Sequence, residues 1–184
     1  DALNPSDLDT LINRGVALDA LGLGEHAIRC YEDALQREPN NEEALFNKAV
    51  ALEKLERYDE AVSIFQALTI SEQFSRDCWY ELGYCYDFLD QLDNALAAYD
   101  RYINEDPYSF NAWYNRGIVL SRKGQFRRAV ESYDMALAIH EDFPAAWYNR
   151  GNSLANLGRL LEAIESYRET LKYEPGDVAT WHNL

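Results

Sequence analysis

Residues 113–136 read WYNRGIVLSRKGQFRRAVESYDMA, and the spacing within that stretch decides the fold. Trp113, Gly117 and Leu120 stand at i, i+4 and i+7, one face of a helix. After a break at Gly124, Ala129, Tyr133 and Ala136 mark a second helical face of the same kind. The stretch therefore predicts two antiparallel helices, A and B, joined by a tight turn. Outward from it the pattern recurs every 34 residues. Leu11, Leu45, Trp79, Trp113, Trp147 and Trp181 keep that beat, as do Ala27, Ala61, Ala95, Ala129 and Ala163, and Tyr31, Phe65, Tyr99, Tyr133 and Tyr167. A fixed period of this length predicts a solenoid, in which each unit buries its apolar face only against its neighbours.

Five full units follow, 8–41, 42–75, 76–109, 110–143 and 144–177, with partial units at 1–7 and 178–184. We read residues 1–184 as a single array. Gly22, Gly124 and Gly158 fall at the A-to-B turn, where a positive φ ends a helix at least cost. Pro5, Pro39, Pro107 and Pro175 are expected after a helix B, which a missing N–H stops from continuing. Gly15, Ala49, Gly83, Gly117 and Gly151 are small enough to let helix A approach a neighbour closely. Leu3-Asn4-Pro5 has the phase of a repeat's final turn, and Val178 to Leu184 opens a sixth helix A, so uncapped ends are expected on both sides.

The Trp-Tyr-Asn-Arg-Gly run at 113–117 and again at 147–151, followed in phase by Leu, Ala and Tyr, resembles the tetratricopeptide repeat (TPR) family. The resemblance covers the whole chain and implies an all-α, right-handed superhelix of helix pairs, used as a protein-interaction scaffold. It further implies that the A helices line a concave groove, with the second, fifth, sixth, ninth, twelfth and thirteenth positions of each unit facing a ligand. The fifth positions are Ile12, Phe46, Tyr80, Tyr114, Tyr148 and His182; the sixth are Asn13, Asn47, Glu81, Asn115, Asn149 and Asn183.

An Asn side chain carries an amide donor and a carbonyl acceptor, the complement of a peptide group, so one per repeat suits an extended backbone. A neighbouring Tyr adds rigid contact area with a polar tip. The pattern resembles the asparagine ladder of O-linked N-acetylglucosamine transferase, with Glu81 as its break. In the third unit Asp77, Glu81 and Asp87 join Tyr80 and Tyr84 in an acidic, aromatic patch suited to a Lys or Arg side chain. The same unit has Asp90 in place of the turn Gly and Tyr102 in place of Ala. Capture of an acidic C-terminal tail does not fit, because Asp9, Glu43 and Asp77 at the second positions repel carboxylates.

Charge supports a basic or neutral ligand. The chain carries a formal charge of −15; residues 1–109 hold 8 Lys/Arg against 23 Asp/Glu, whereas residues 110–184 hold 9 against 9. Such a field repels nucleic acid and anionic lipid and steers basic partners inward. No apolar run of membrane-spanning length is visible. Cys30, Cys78 and Cys85 are odd in number and lack metal spacing, which leans toward a reducing, cytoplasmic compartment. No nucleophile elbow, phosphate loop or metal motif occurs, so no catalytic residue, metal site or cofactor is expected.

The leading expectation is a non-enzymatic scaffold that holds an extended basic or neutral peptide in its groove. Its alternative is the substrate-recruiting region of a larger enzyme, such as a glycosyltransferase. Self-association through the uncapped ends is a third reading.

Overall fold

The computed structural model describes residues 5–184, with side chains from Leu8 onward. The expected tail at 1–4 lies outside the described residues. Every described element is helical: α1 (Pro5–Ala20), α2 (Gly24–Arg37), α3 (Glu42–Lys54), α4 (Tyr58–Leu68), α5 (Ser75–Phe88), α6 (Leu92–Glu105), α7 (Phe110–Arg122), α8 (Phe126–Ile139), α9 (Pro144–Asn156), α10 (Leu160–Tyr173) and α11 (Val178–Asn183). Odd-numbered helices are A helices and even-numbered ones B helices. One expectation needs correction. Pro5 begins α1, earlier than the unit boundary at residue 8, in a place where its missing N–H costs nothing; whether a helix B precedes it lies outside the described residues.

The helices form two compact units, Asp1–Gln91 and Leu92–Leu184. In the first, α1 packs on α2, α2 on α3, α3 on α4 and α4 on α5; in the second, α6 to α10 pack in the same chain order and α11 lies on α10. Within each unit a helix meets its sequence neighbours, the mark of a solenoid. The core repeats accordingly. Ala27, Ala61, Ala95, Ala129 and Ala163 are buried on the B helices, with Tyr31, Phe65, Tyr99, Tyr133 and Tyr167 one turn on.

Close approach explains the A-helix glycines. A Cβ placed on Gly15, Gly117 or Gly151 would lie 2.4 or 2.5 Å from the ring of Tyr31, Tyr133 or Tyr167 respectively. Hydrogen is thus the only side chain that fits beneath each buried ring. The tryptophans do a different job from the tyrosines. The indole N–H of Trp113, Trp147 and Trp181 donates to the carbonyls of Pro107, Glu141 and Pro175, each six residues earlier, at 2.9–3.0 Å. They tie down the turn before each A helix. Arg116 and Arg150 then lie over Trp113 and Trp147 while bonding Asp100 and Asp134 on the preceding B helix, both at 2.6 Å.

All five A-to-B turns share one backbone solution. Leu23, Arg57, Gln91, Gln125 and Arg159 each donate to the carbonyl five residues back, closing the helix with a residue of positive φ in between. That residue is Gly22, Gly124 or Gly158 in three turns, but Glu56 (φ 60°) and Asp90 (φ 59°) in the other two. A side chain in this conformation costs about 1 kcal/mol or more. Glu56→Gly and Asp90→Gly are therefore each expected to stabilise the protein by about 0.5–1 kcal/mol in urea melts; destabilisation would mean that the carboxylates stabilise their turns.

Candidate functional site

In the second compact unit the ladder residues are joined to one another. The Asn149 amide donates to the Tyr114 hydroxyl at 3.0 Å, and the Asn183 amide donates to the Tyr148 hydroxyl at 3.3 Å. Each bond spans 35 residues, from a sixth position to the fifth position of the unit before. The phenol thus fixes the plane of the following repeat's amide and engages its NH₂ end. Asn152 extends the second rung, its carbonyl accepting from the Tyr167 hydroxyl at 2.9 Å and from the Asn183 amide at 3.2 Å. Tyr114 also packs on Phe143, with ring centroids 4.6 Å apart, so its orientation is set by contact as well. Burial followed by the Asn149 bond sets its acidity, with a net rise in pKa. Asn115, next to Tyr114 on α7, is half-buried.

The first compact unit lacks this rung, for a reason visible in its fifth positions. Ile12 is buried and has no hydroxyl to offer Asn47. Phe46 likewise has none for Glu81; it stacks on Phe74 at 4.8 Å and meets Phe65 edge-on at 5.7 Å. Asn13 is exposed and Asn47 half-buried. Asp9, Ile12, Asn13 and Glu43 line a shallow recess of about 150 Å³, which brings second, fifth and sixth positions onto one surface.

Glu81 takes another partner. Its carboxyl hydrogen-bonds to that of Glu53, twelfth position of the preceding unit, and two carboxyl oxygens can share such a bond only through a proton. Burial first, and then the charge of Glu53, push the Glu81 pKa up to about 8. Glu53 is also raised by burial, and it accepts from the Cys85 thiol at 3.7 Å. Lys54, whose charge acts on both carboxyls, is bonded to Asp19 at 2.5 Å. The expected patch is thereby altered: Asp77 and Asp87 remain half-buried carboxylates, while Glu81 carries a proton at neutral pH. Tyr80 and Tyr84 are half-buried on the same helix.

Sequence reasoning missed Glu53, Asn152, Tyr58 and Phe88. Glu53 and Phe88 stand at twelfth and thirteenth positions, and reading those ladders as closely as the fifth and sixth finds both. Tyr102 is half-buried and its hydroxyl points to Asp106 at 3.5 Å, within its own helix and turn. A cleft of about 410 Å³ between α9 and α10 holds Trp147, Arg150, Glu165 and Lys172, but Arg150 is bonded to Asp134 and Ser166, and Lys172 to Glu169. Cys30, Cys78 and Cys85 are buried free thiols, Cys78 being pushed up to about 12 chiefly by burial. None of the described helices is long and apolar enough to cross a membrane.

A helix pair repeated every 34 residues defines a helical repeat protein. A tetratricopeptide repeat model matches residues 12–74 and 114–178, and a second matches 77–109, so the chain belongs to the tetratricopeptide repeat family, whose members are typically non-catalytic interaction modules. No curated protein matches the chain. Among solved structures it is similar to MamA (23% identity, 94% of each chain, TM-score 0.83). It is also similar to YrrB, described as a TPR protein with an unusual peptide-binding site (22%, 94% of this chain and 89% of that one, TM-score 0.81). A third is a thermophilic TPR protein of Thermus thermophilus (25%, 95% of each chain, TM-score 0.68). These likenesses show an α-solenoid of helix pairs.

Proposed function

We propose that residues 1–184 act as one non-enzymatic array that holds an extended, basic or neutral segment of a partner protein along its A helices. The observation that carries this reading is the pair of rungs Asn149–Tyr114 and Asn183–Tyr148. Two amides one repeat apart are each engaged at the NH₂ end by the tyrosine hydroxyl of the preceding repeat, and the carbonyl oxygen is the end that suits a ligand N–H. Binding of peptide backbone by amides fixed beforehand spares the entropy of ordering them. YrrB's peptide-binding site is a precedent within the same fold. The groove resemblance to the asparagine ladder fits the second compact unit best, where the amides are unbroken.

Affinity capture with the wild type and with Asn115→Ala/Asn149→Ala tests the reading. The double variant is expected to lose specific partners and to bind the recovered segment about 5- to 150-fold more weakly, at about 0.5–1.5 kcal/mol per amide contact. Unchanged capture by a folded double variant contradicts the proposal.

A further inference from the structure

The third unit carries a feature that the ladder does not use. Phe88, near the end of α5, leaves 56% of its surface exposed. Its counterparts at the same position are Ala20, Lys54, Arg122 and Asn156, so an exposed aromatic here departs from every sibling. Two rings hold it in place. Tyr58 stacks on it at 4.9 Å with an interplanar angle of 17°, and Tyr84, one turn earlier on α5, lies at 4.8 Å.

The surroundings of this shelf are anionic. Behind burial, the charges of Glu56 and Glu53 add to the rise at the Tyr58 phenol, and those of Glu53 and Asp87 bear on Tyr84. The two cations of the adjacent turn are committed elsewhere, Lys54 to Asp19 at 2.5 Å and Arg57 to Glu60 at 2.6 Å and Glu25 at 3.6 Å. Glu56 moreover occupies a backbone conformation that three sibling turns give to glycine. A carboxylate is kept beside the shelf at a cost in stability, a pattern found where function opposes folding.

We propose that the Tyr58–Phe88–Tyr84 shelf seats an arginine side chain of the segment held in the groove. A guanidinium is flat, so it lies on the exposed ring face while its N–H groups reach the surrounding carboxylates. Charge complementarity selects this occupant over an apolar one: the shelf lies within the half of the chain that carries the whole −15. The proposal rests on the groove reading above and moves the cation's seat away from Glu81, whose proton is shared with Glu53.

The test uses the full chain and fluorescence anisotropy with a labelled repeating Arg-Gly-Ser peptide and its citrulline and leucine counterparts. Wild type is expected to prefer arginine to citrulline by about tenfold. Phe88→Ala should weaken the arginine peptide about three- to fivefold and leave the citrulline peptide unchanged. Glu56→Gly should weaken the arginine peptide by about two- to threefold while raising the melting temperature. Phe88 is exposed, so its loss is expected to leave the circular dichroism spectrum unaltered. Equal arginine affinity in wild type and Phe88→Ala, or a preference for citrulline or leucine, overturns the shelf. The groove reading survives that result if Asn115→Ala/Asn149→Ala still weakens the peptides that bind. Wild type that binds no peptide defeats both.

Discussion

Tyr133→Ala lowers the unfolding free energy by about 3–5 kcal/mol, the range for deleting a large buried aromatic. The Tyr133 ring is 1% exposed and fills the gap between α7 and α8, directly over Gly117. Its hydroxyl lies 3.2 Å from the Ser121 hydroxyl, which is itself 3.0 Å from Ser153, so the truncation also cuts a polar chain from α8 through α7 to α9. Gly117→Leu is destabilising for the opposite reason. Its Cβ alone would stand 2.5 Å from the ring, and overpacking of that kind costs about 1–3 kcal/mol. The two losses are not independent. In Tyr133→Ala/Gly117→Leu the new side chain enters the volume that the ring vacates, so the double variant should be more stable than the sum of the single effects by about 1–2 kcal/mol. Urea melts of all four proteins measure the coupling. Strict additivity contradicts the placement of Gly117 beneath Tyr133.

That pairing was legible in the sequence because Gly and Tyr keep phase at 117 and 133, as at 15 and 31 and at 151 and 167. Periodicity reports positions whose environment repeats, and so it gives the helix pairs, the turn glycines and the small-residue contacts. It is weaker where one backbone demand is met by different residues. The αL turn is present five times, yet Glu56 and Asp90 conceal it in two, since the five-back hydrogen bond is made by main chain alone. Trp113, Trp147 and Trp181 show a second limit: their phase marks a repeated role, but only the structure shows that the indole N–H tethers a turn instead of filling the core. At the site, each ladder could be read down its own column, whereas Glu53 meets Glu81 across columns, twelfth position against sixth. Such a diagonal contact depends on the crossing of α3 over α5, which residue types do not record. Charge was misread there for a related reason. A carboxylate counts as −1 in composition, and nothing in composition reveals that two of them share one proton.

The shared proton makes stability depend on pH in the direction opposite to ordinary ion-paired carboxylates. An unfolded Glu loses its proton near 4.3, whereas folded Glu81 keeps one up to about 8. Between those limits the native state binds more protons than the unfolded chain, so stability falls as pH rises. The contribution is fully present below the unfolded value and lost once pH passes about 8. We expect a loss of about 2–3 kcal/mol between pH 5 and pH 9, kept below the full linkage value because a half-buried carboxyl is partly solvated. Three other shifted groups lie outside that window. Glu60 and Glu162 are held below the usual carboxylate range by hydrogen bonds from Arg57 and Arg159, and the Cys78 thiol titrates only near 12. Glu81→Gln supplies the decisive comparison, because its amide donates to Glu53 at every pH as the protonated acid does. Its stability should be nearly flat from pH 5 to pH 9 and exceed wild type at the alkaline end; a profile parallel to wild type excludes the shared proton. The same comparison bears on binding. At neutral pH the A-helix surface around Glu53 and Glu81 carries one negative charge fewer than its residues suggest, and a cation brought beside Glu81 must displace the proton, so affinity there rises with pH in wild type and not in Glu81→Gln.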